Sequence, residues 1–288
     1  MRVVELCVSG LVTGSVFALI SIGIIMIYKS SGILNFAHGY ITAFGAFFSL
    51  GVVHAIGAPT VWVIPVSIVA CVVLSLLMEV VVITPLRGAN HMILMVATLG
   101  VALILEGVES ITWGHVSDLF PKVAPGNAGT IGSLNISNQW VLTFSLTLVL
   151  VLATAAFFRF TVMGIVMRAS SSNASVTEQM GFNPRVASLV SWGIAGVFAG
   201  LAAVLIAPEI AYSPASFTLV LIQAFVAVVL GGFTSLGGAL LGGYFTGIAV
   251  NLYTGYVSSG SPAVFTLGLI AVVLLIRPTG LFVRGESA

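Results

Sequence analysis

Nine long apolar stretches dominate this sequence and limit the folds it can adopt more than any other feature. A helix crosses the hydrocarbon core of a bilayer with about 20 apolar residues, and most of the stretches approach or exceed that length. Only 6% of the 288 residues are charged, against about 25% in an ordinary soluble domain, so the chain cannot form a water-soluble surface. It is therefore predicted to be all-α, a polytopic transmembrane helical bundle. The stretches are 4–28, 33–57, 61–83, 92–113, 139–158, 186–207, 217–232, 238–257 and 262–277.

The number of spans depends on the seventh and eighth stretches, which are short. The glycine-rich segment GGFTSLGG at 231–238 separates them. This pair either crosses the membrane twice or forms a partly re-entrant hairpin, because non-helical backbone at membrane depth is tolerated where protein buries it or where it lines a cavity. The prediction is eight or nine spans in a single transmembrane domain that covers residues 1–288.

The loop at 159–185 indicates how the bundle is oriented. It carries Arg159, Arg168 and Arg185, and loops rich in Lys and Arg remain in the cytoplasm. Counting the crossings outward from this loop places the C-terminus in the cytoplasm too, as a multi-pass protein of the cell (inner or plasma) membrane. The first apolar stretch is too long for a signal peptide and no A-x-A-like cleavage site ends it, so we expect it to remain as the first helix.

Asn35 and His38 are polar residues near the start of the second stretch, in the segment SGILNFAHGY, and Gly39 follows them. A polar group inside a membrane span is costly and usually has a partner or a function. Two interpretations stay open. The two side chains either cap a broken helix, or they line the solute path and steady its broken helix.

Four carboxylates also need an explanation. Glu106 and Glu109 lie three residues apart near the end of the fourth stretch. They could form a proton or cation site, but their position close to the membrane edge favours a solvated, interfacial face. Glu79 closes the third stretch, where a charge is more often structural, and Glu209 ends an outer helix, where it could face a solute or a partner protein.

The sequence contains no catalytic constellation. It has no His, Asp and Glu cluster at metal-ligand spacing and no G-x-S-x-G motif, and it lacks a phosphate-binding loop. The nearest match to such a loop runs from Gly23 to Lys29-Ser30, and Tyr28 replaces its second glycine. We also find no basic patch that would bind nucleic acid. The chain is predicted to have no catalytic residue, no metal site and no cofactor of its own, and thus to be no enzyme.

The cytoplasmic loop resembles the coupling segment of the ABC-transporter permeases for branched-chain amino acids, the LivH/LivM type. The resemblance rests on the order of Thr161, Gly164, Arg168-Ala169, Asn173 and Met180-Gly181-Phe182-Asn183. Further motifs of the family occur in the family's order along the chain. They are NFAHG at 35–39, Glu79 with Pro85-Leu86-Arg87, LGGFTSLGGALLGG at 230–243 and IRPTGLF at 276–282. Together these motifs cover nearly the whole chain.

The resemblance implies that the chain is the membrane-spanning permease subunit of an ATP-driven importer for branched-chain amino acids. A short helix in the cytoplasmic loop would dock on a separate ATPase subunit. The residues implied in this coupling are Arg168, Ala169, Asn173, Met180, Gly181 and Asn183. The residues implied in the translocation pathway or its broken helices are Asn35, His38, Gly39, Gly231, Gly232, Gly237 and Gly238.

The same resemblance implies the partners. They are a second and related permease subunit, two ATPase subunits that bind ATP and Mg, and an extracytoplasmic solute-binding protein. Relatives in the superfamily carry urea, short amides or aromatic carboxylates, which are the alternative cargoes. Two other classes stay open: an ion-coupled secondary transporter that uses Glu106, Glu109 and His38, and a channel with the NFAHG region as a pore-lining half-helix.

The sequence departs from the family pattern at two places. Family members commonly have an acidic residue directly after NFAHG, where this chain has Tyr40. In the coupling loop, SSSNASVTEQ at 170–179 replaces the usual basic and alanine-rich run, which predicts an ATPase contact individual to this system. Gly181 still occupies the place at which a glycine ends a helix.

Overall fold

The computed structural model describes residues 2–114, 120–131, 134–172, 174–210, 213–233, 235–257, 260–277 and 280. These residues form eleven α-helices and one short hairpin. The helices are α1 (Arg2–Ser31), α2 (His38–Ala55), α3 (Val63–Met78), α4 (His91–Trp113), α5 (Asn138–Phe160), α6 (Val162–Ser172), α7 (Ala174–Gln179), α8 (Pro184–Ile206), α9 (Pro214–Gly231), α10 (Leu236–Tyr256) and α11 (Pro262–Ile276). Each of the nine predicted stretches coincides with one of these helices, as the all-α prediction requires.

Three irregular turns extend the helices. A 3₁₀ turn at Thr60–Trp62 leads into α3, a π-helical turn at Glu79–Ile83 follows it, and a 3₁₀ turn at Ala207–Glu209 continues α8. With these turns included, five helical segments are long and apolar enough to cross a membrane. They are Arg2–Ser31, Thr60–Ile83, His91–Trp113, Asn138–Phe160 and Pro184–Glu209, and Ser216–Gly231 and Pro262–Ile276 are shorter apolar helices. The exact number of crossings therefore stays a prediction.

The long loop before α5 contains a hairpin that the sequence pattern did not indicate. Strand β1 (Asn127–Ile131) pairs antiparallel with β2 (Leu134–Ser137), and the pairing joins Asn127 to Ser137. The side chain of Ser137 then caps α5 by accepting a hydrogen bond from the backbone N–H of Gln139.

Eight of the helices form two sets of four with equivalent packing contacts and opposite direction. We call them the first half-bundle (α1–α4) and the second half-bundle (α8–α11). Helix α3 packs against α8 as α10 packs against α1, and the pairs α1–α8 and α2–α9 meet between the sets. The end of α1 at Ser31 and the start of α8 at Pro184 line one cavity, so these two helices run in opposite directions. This is the arrangement of an inverted-topology repeat, in which sites form where the two repeats meet.

Glycines allow the backbones of the two half-bundles to approach closely. A Cβ at Gly10 of α1 would lie 2.7 Å from the Cα of Ile248 in α10, and one at Gly200 of α8 would lie 2.5 Å from the Cα of Ile68 in α3. One helical turn away, Gly14 and Gly196 make the equivalent contacts with Tyr244 and Val72. Helices in lipid associate through such small residues because lipid provides no hydrophobic force between them.

The core of the bundle lies around α1. Every residue from Val16 to Ile27 is buried, as expected for a helix that is apolar on all sides and surrounded by protein. Ser21 is one of the polar groups at this depth, and its hydroxyl donates to the backbone oxygens of Phe17 (2.6 Å) and Ala224 in α9 (2.8 Å). The central helix is thus fixed to both halves.

Candidate functional site

The chain leaves helical geometry between α1 and α2, at residues 32–37. Gly32 turns the chain with a φ of +68°, and the side-chain oxygen of Asn35 accepts a hydrogen bond from the N–H of Ala37 at 3.0 Å. The hydroxyl of Thr98, inside α4, contacts the oxygen of Leu34 and the N–H of Phe36, both at 3.3 Å. Non-helical backbone is therefore held against the side of a membrane-length helix, where buried peptide groups need such partners.

His38 and Gly39 begin α2 directly after this break. The imidazole of His38 is fully buried, and it lies so close to Gly23 of α1 that a Cβ there would collide with it. A Cβ at Gly39 would lie 2.6 Å from the Cβ of Leu221, so this glycine lets α2 approach α9. Asn35 is fully buried as well. The structure thus places both polar side chains inside the packed core, beside the helix break.

The two carboxylates of α4 lie in a setting that the sequence did not predict. The hydroxyl of Tyr40 donates to the Oε2 atom of Glu106 at 3.1 Å and accepts from the hydroxyl of Thr218, in α9, at 3.3 Å. Glu109 is fully buried, and neither of its carboxylate oxygens has a hydrogen-bond partner among the described residues. The expectation of a solvated face is wrong for Glu109, because α2 covers this side of α4.

The glycines between α9 and α10 that were predicted to shape the pathway lie in a compact turn. A Cβ at Gly231 would collide with the backbone of Gly238, and a Cβ at Gly238 would collide with Gly231. Gly232 has a φ of +83°, and a Cβ at Gly280 would lie 2.8 Å from its Cα. The space around Gly237 is open. The side chain of Ser235 accepts a hydrogen bond from the N–H of Gly238 at 2.9 Å and thereby begins α10.

An ion pair lies at the end of α3, and a serine of α8 is hydrogen-bonded to its carboxylate. Arg87 donates to Oε1 of Glu79, and the hydroxyl of Ser188 donates to the same oxygen at 2.8 Å. Glu79 is fully buried and begins the π-helical turn, whereas the side chain of Arg87 is 30% exposed. Turns of this kind inside helices occur frequently at functional sites.

The loop predicted to be cytoplasmic contains two helices, α6 and α7. We call these helices, together with the residues that follow α7 up to Phe182, the coupling protrusion, after the role predicted for them. Arg168 and Ala169 are exposed on α6, and Asn173 lies outside the described residues. Gly181 follows α7 with a φ of +85°, which is the left-handed conformation that ends a helix. Asn183 caps α8, because its side-chain oxygen accepts a hydrogen bond from the N–H of Arg185 at 2.9 Å.

Apolar side chains of the coupling protrusion also face outward. Met180 is 69% exposed, and Val176 and Phe182 beside it are exposed too. The protrusion packs on α1, α5 and α8, so it is attached to both half-bundles. Behind it lies a polar cavity of about 580 Å³ that Arg87, Arg185 and Ser188 help to line. Exposed apolar residues beside charges are typical of surfaces that contact another protein.

Several of these functional contacts were not found from the sequence. Thr98, Ser188 and Thr218 are single hydroxyls in apolar helices, and each bonds to a residue far away in the sequence. Their only signal is a Ser or Thr inside a membrane-length stretch, which is also common in ordinary helix packing. No group of three or more His, Cys, Asp or Glu suited to a metal ion occurs in the part of the chain that the structure describes.

Comparison with known proteins gives a consistent result over nearly the whole chain. The family described as branched-chain amino acid transport system / permease component matches residues 6–277. The high-affinity branched-chain amino acid transport system permease protein BraD of Pseudomonas aeruginosa is 29% identical, with 97% of this chain and 95% of BraD covered. The corresponding LivH protein of Escherichia coli is also 29% identical, with 96% and 94% covered. Among solved structures, PsaBC from Streptococcus pneumoniae in complex with Fab matches with a TM-score of 0.46 and 18% identity, over 96% of this chain and 91% of that one.

Proposed function

We propose a transport function from one premise: the chain belongs to the family of permease components of branched-chain amino acid transport systems. Together with its five membrane-length apolar helices, this makes it a multi-pass membrane protein. The proposed function is that of the permease subunit of an ATP-driven importer that moves branched-chain amino acids across the cell membrane. The observation that carries the proposal is the match to BraD and LivH over nearly the whole length of each chain.

The proposed importer contains more chains than this one. A second, related permease completes the pathway, and a solute-binding protein delivers the cargo from outside. Two ATPase subunits bind ATP and Mg and hydrolyse the nucleotide, because this sequence lacks the phosphate loop that ATP hydrolysis requires. In this assembly the present chain holds no cofactor. Alternating access then opens the pathway inward after hydrolysis.

The proposed topology has nine crossings, one for each predicted stretch. With the coupling protrusion in the cytoplasm, this count places the N-terminus outside and the C-terminus inside. The ends of α1 and α3 and the starts of α4 and α8 then share the cytoplasmic side with Lys29, Arg87, Arg159 and Arg168. Only Arg2 and Lys122 remain outside, which agrees with the positive-inside rule.

The coupling protrusion is proposed as the part that an ATPase subunit moves. Three features support this role: the exposed Arg168, the exposed apolar residues around Met180, and packing on α1, α5 and α8. Asn183 begins α8 directly after the protrusion, and Ser188 in the first turns of α8 joins it to the buried Glu79. A displacement of the protrusion would therefore act on both half-bundles.

Asn35, His38 and Gly39, with the glycines of the α9–α10 turn, are proposed as the residues that shape the pathway. The arrangement that supports this role is the helix break at 32–37, where Asn35 bonds to the N–H of Ala37. We propose that Asn35 and His38 organise the broken helix beside the route. In the secondary-transporter alternative, His38 would share an ion site with the carboxylates of α4, but it is two residues from Tyr40 on α2, and residues at that spacing point to different sides of a helix.

Uptake by the purified complex tests the proposed function. The full set of subunits is reconstituted in proteoliposomes with the ATPase subunits facing the lumen. Either ATP or an analogue that cannot be hydrolysed is enclosed in the lumen, and labelled leucine is added outside. We expect accumulation with ATP alone. Undiminished accumulation with the analogue, or a collapse when the ion gradient is dissipated, would refute an ATP-driven importer and favour the ion-coupled alternative.

Arg168→Glu tests the coupling protrusion, and Lys122→Glu serves as its control, because Lys122 is exposed in the loop predicted to lie outside. We expect the first variant to lose the ATPase subunits during co-purification while its insertion into the membrane is normal. The control should retain them. Full association and uptake in Arg168→Glu would exclude this residue from the contact.

A further inference from the structure

The carboxylates of α4 form no ion pair among the residues that the structure describes. Glu106 receives a hydrogen bond from Tyr40 at 3.1 Å, and it lies three residues before Glu109 on α4, about one helical turn away. Glu109 is fully buried with both oxygens unpartnered among the described residues. The ion pair found in the described part of the chain, Arg87 with Glu79, belongs to a different site. Two neighbouring carboxylates without a cation are costly in a membrane-spanning helix.

The position of Glu106 and Glu109 indicates that these carboxylates do not face lipid. Glu106 precedes Trp113, the last residue of α4, by two turns, which is about 10 Å of helix. Glu106 and Thr218 are partly exposed in this chain, and a partly exposed carboxylate within a span faces a water-filled route or another protein rather than lipid. The hydroxyls of Tyr40 and Thr218 connect α4 to α2 and α9, the helices that meet between the two half-bundles.

Aromatic rings complete the surroundings on the outer side. Phe44 lies one turn after Tyr40 on α2, and its ring meets that of Trp113 edge-on at 5.8 Å. Phe47 stacks on the same indole at 5.7 Å. The site thus combines carboxylates with an apolar aromatic wall. An inorganic cation would need several more oxygen ligands, whereas an ammonium group is satisfied by a few acceptors and by aromatic faces.

We propose that Glu106, Glu109 and the Tyr40 hydroxyl form a binding site for a monovalent cation, and that its occupant is the ammonium group of the transported amino acid. This assignment rests on the proposed function. Glu109 supplies the unpaired acceptors, Glu106 the second charge, and Tyr40 holds Glu106 in place through its hydrogen bond. The aromatic wall accommodates the apolar side chain of the same solute. His38 and Asn35 take no part in this contact.

Leucine uptake by the complete complex in proteoliposomes tests the site. The variants are Glu109→Gln, Glu106→Gln and Tyr40→Phe, and Glu5→Gln on the exposed first turn of α1 is the matched control. We expect Glu109→Gln to lower uptake at limiting leucine about tenfold or more, the effect of losing a charge-assisted hydrogen bond. Tyr40→Phe should have a smaller effect, and Glu5→Gln none. Basal ATP hydrolysis by the assembled complex should be the same in Glu5→Gln as in the wild type.

Two further measurements identify the occupant. The first is competition by 4-methylpentanoate, which is leucine without its ammonium group, and we expect none in the wild-type complex. The second replaces sodium with N-methylglucamine, which should leave uptake unchanged. If uptake by the wild-type complex is lost without sodium, while uptake by Glu109→Gln does not depend on sodium, the site binds an inorganic cation and the ammonium assignment is overturned.

The outcomes separate this proposal from the proposed function. If the wild-type complex accumulates leucine with ATP and the two Glu→Gln variants do so equally well, the importer stands and the cation site is refuted. If the wild-type complex accumulates no leucine with ATP, the proposed function itself fails. If the Glu→Gln variants do not assemble, Tyr40→Phe decides, because it removes only one hydroxyl; uptake equal to wild type would then refute the site.

Discussion

The two half-bundles are packed by the same scheme but carry different chemistry. In both, a glycine pair on the central helix, Gly10 with Gly14 on α1 or Gly196 with Gly200 on α8, brings a helix of the opposite half into backbone contact. Helices α8–α11 contain no Asp, Glu or His, whereas α2 carries His38, α4 carries Glu106 and Glu109, and the turn after α3 begins with Glu79. Small residues thus maintain the shared framework, and the specialised chemistry is concentrated in the first half.

The largest expected effect tests whether the framework is equivalent in both halves. Gly14→Leu and Gly200→Leu each place a side chain within a backbone–backbone contact, at 2.9 Å from Tyr244 and 2.5 Å from Ile68 respectively. Because overpacking against backbone cannot be relieved by a rotamer change, we expect both variants to lose the monodisperse peak in size-exclusion chromatography.

Open glycines of the two halves provide the controls for this experiment. A Cβ at Gly100 of α4 meets nothing within 4 Å, and one at Gly193 of α8 first meets Leu76 at 3.9 Å. Gly100→Leu and Gly193→Leu should elute as the wild type does. If only one of the two packed glycines proves essential, the half-bundles do not share one packing scheme.

The next effect concerns the ion pair of Glu79 and Arg87 in the first half. Glu79→Gln removes the charge that accepts from Arg87 and Ser188, and we expect it to destabilise the folded chain by about 1.5–3 kcal/mol, as for a hydrogen bond to a charged group. The double variant Glu79→Leu with Arg87→Met should recover most of this loss, because no unpaired charge remains. Thermal unfolding in detergent measures both. A double variant less stable than Glu79→Gln would contradict this explanation.

A smaller effect is expected at the coupling protrusion, where backbone strain can be compared at two matched glycines. Gly181 and Gly57 have φ values of +85° and +63°, and neither has a neighbour within 4 Å of an added Cβ. Each Gly→Ala exchange should cost about 1–2 kcal/mol, the price of left-handed backbone for other residues. Only Gly181→Ala, beside the proposed ATPase contact, should lower the uptake per ATP hydrolysed. Equal uptake in both variants would remove Gly181 from the coupling.

The sequence predicted the framework better than the site, for a physical reason. The length of an apolar stretch is a local property, so each of the nine stretches is found as a helix, and NFAHG marked the break before α2. The burial of Glu109 is not local. Its position near the end of α4 suggested a solvated face, but Glu109 is buried where α2 packs on α4, and this depends on how two helices pack. The partners Thr98 and Thr218 were missed for the same reason.

The smallest expected effect compares helix caps in the two halves on the side predicted to be cytoplasmic. Asn90 caps α4 and Asn183 caps α8, through side-chain oxygens that accept from backbone N–H groups at 3.2 and 2.9 Å. Since the two caps are alike, Asn90→Ala and Asn183→Ala should each lower the free energy of unfolding by about 1 kcal/mol. The two variants should still differ in transport. Asn183 connects the coupling protrusion to Ser188 and the buried Glu79, so its loss should also lower the uptake per ATP hydrolysed, whereas Asn90→Ala should retain it. Equal transport by both variants would mean that the Asn183 cap is not needed to transmit motion from the coupling protrusion to α8. The first half-bundle would then be coupled to the protrusion through a contact other than Ser188 with Glu79.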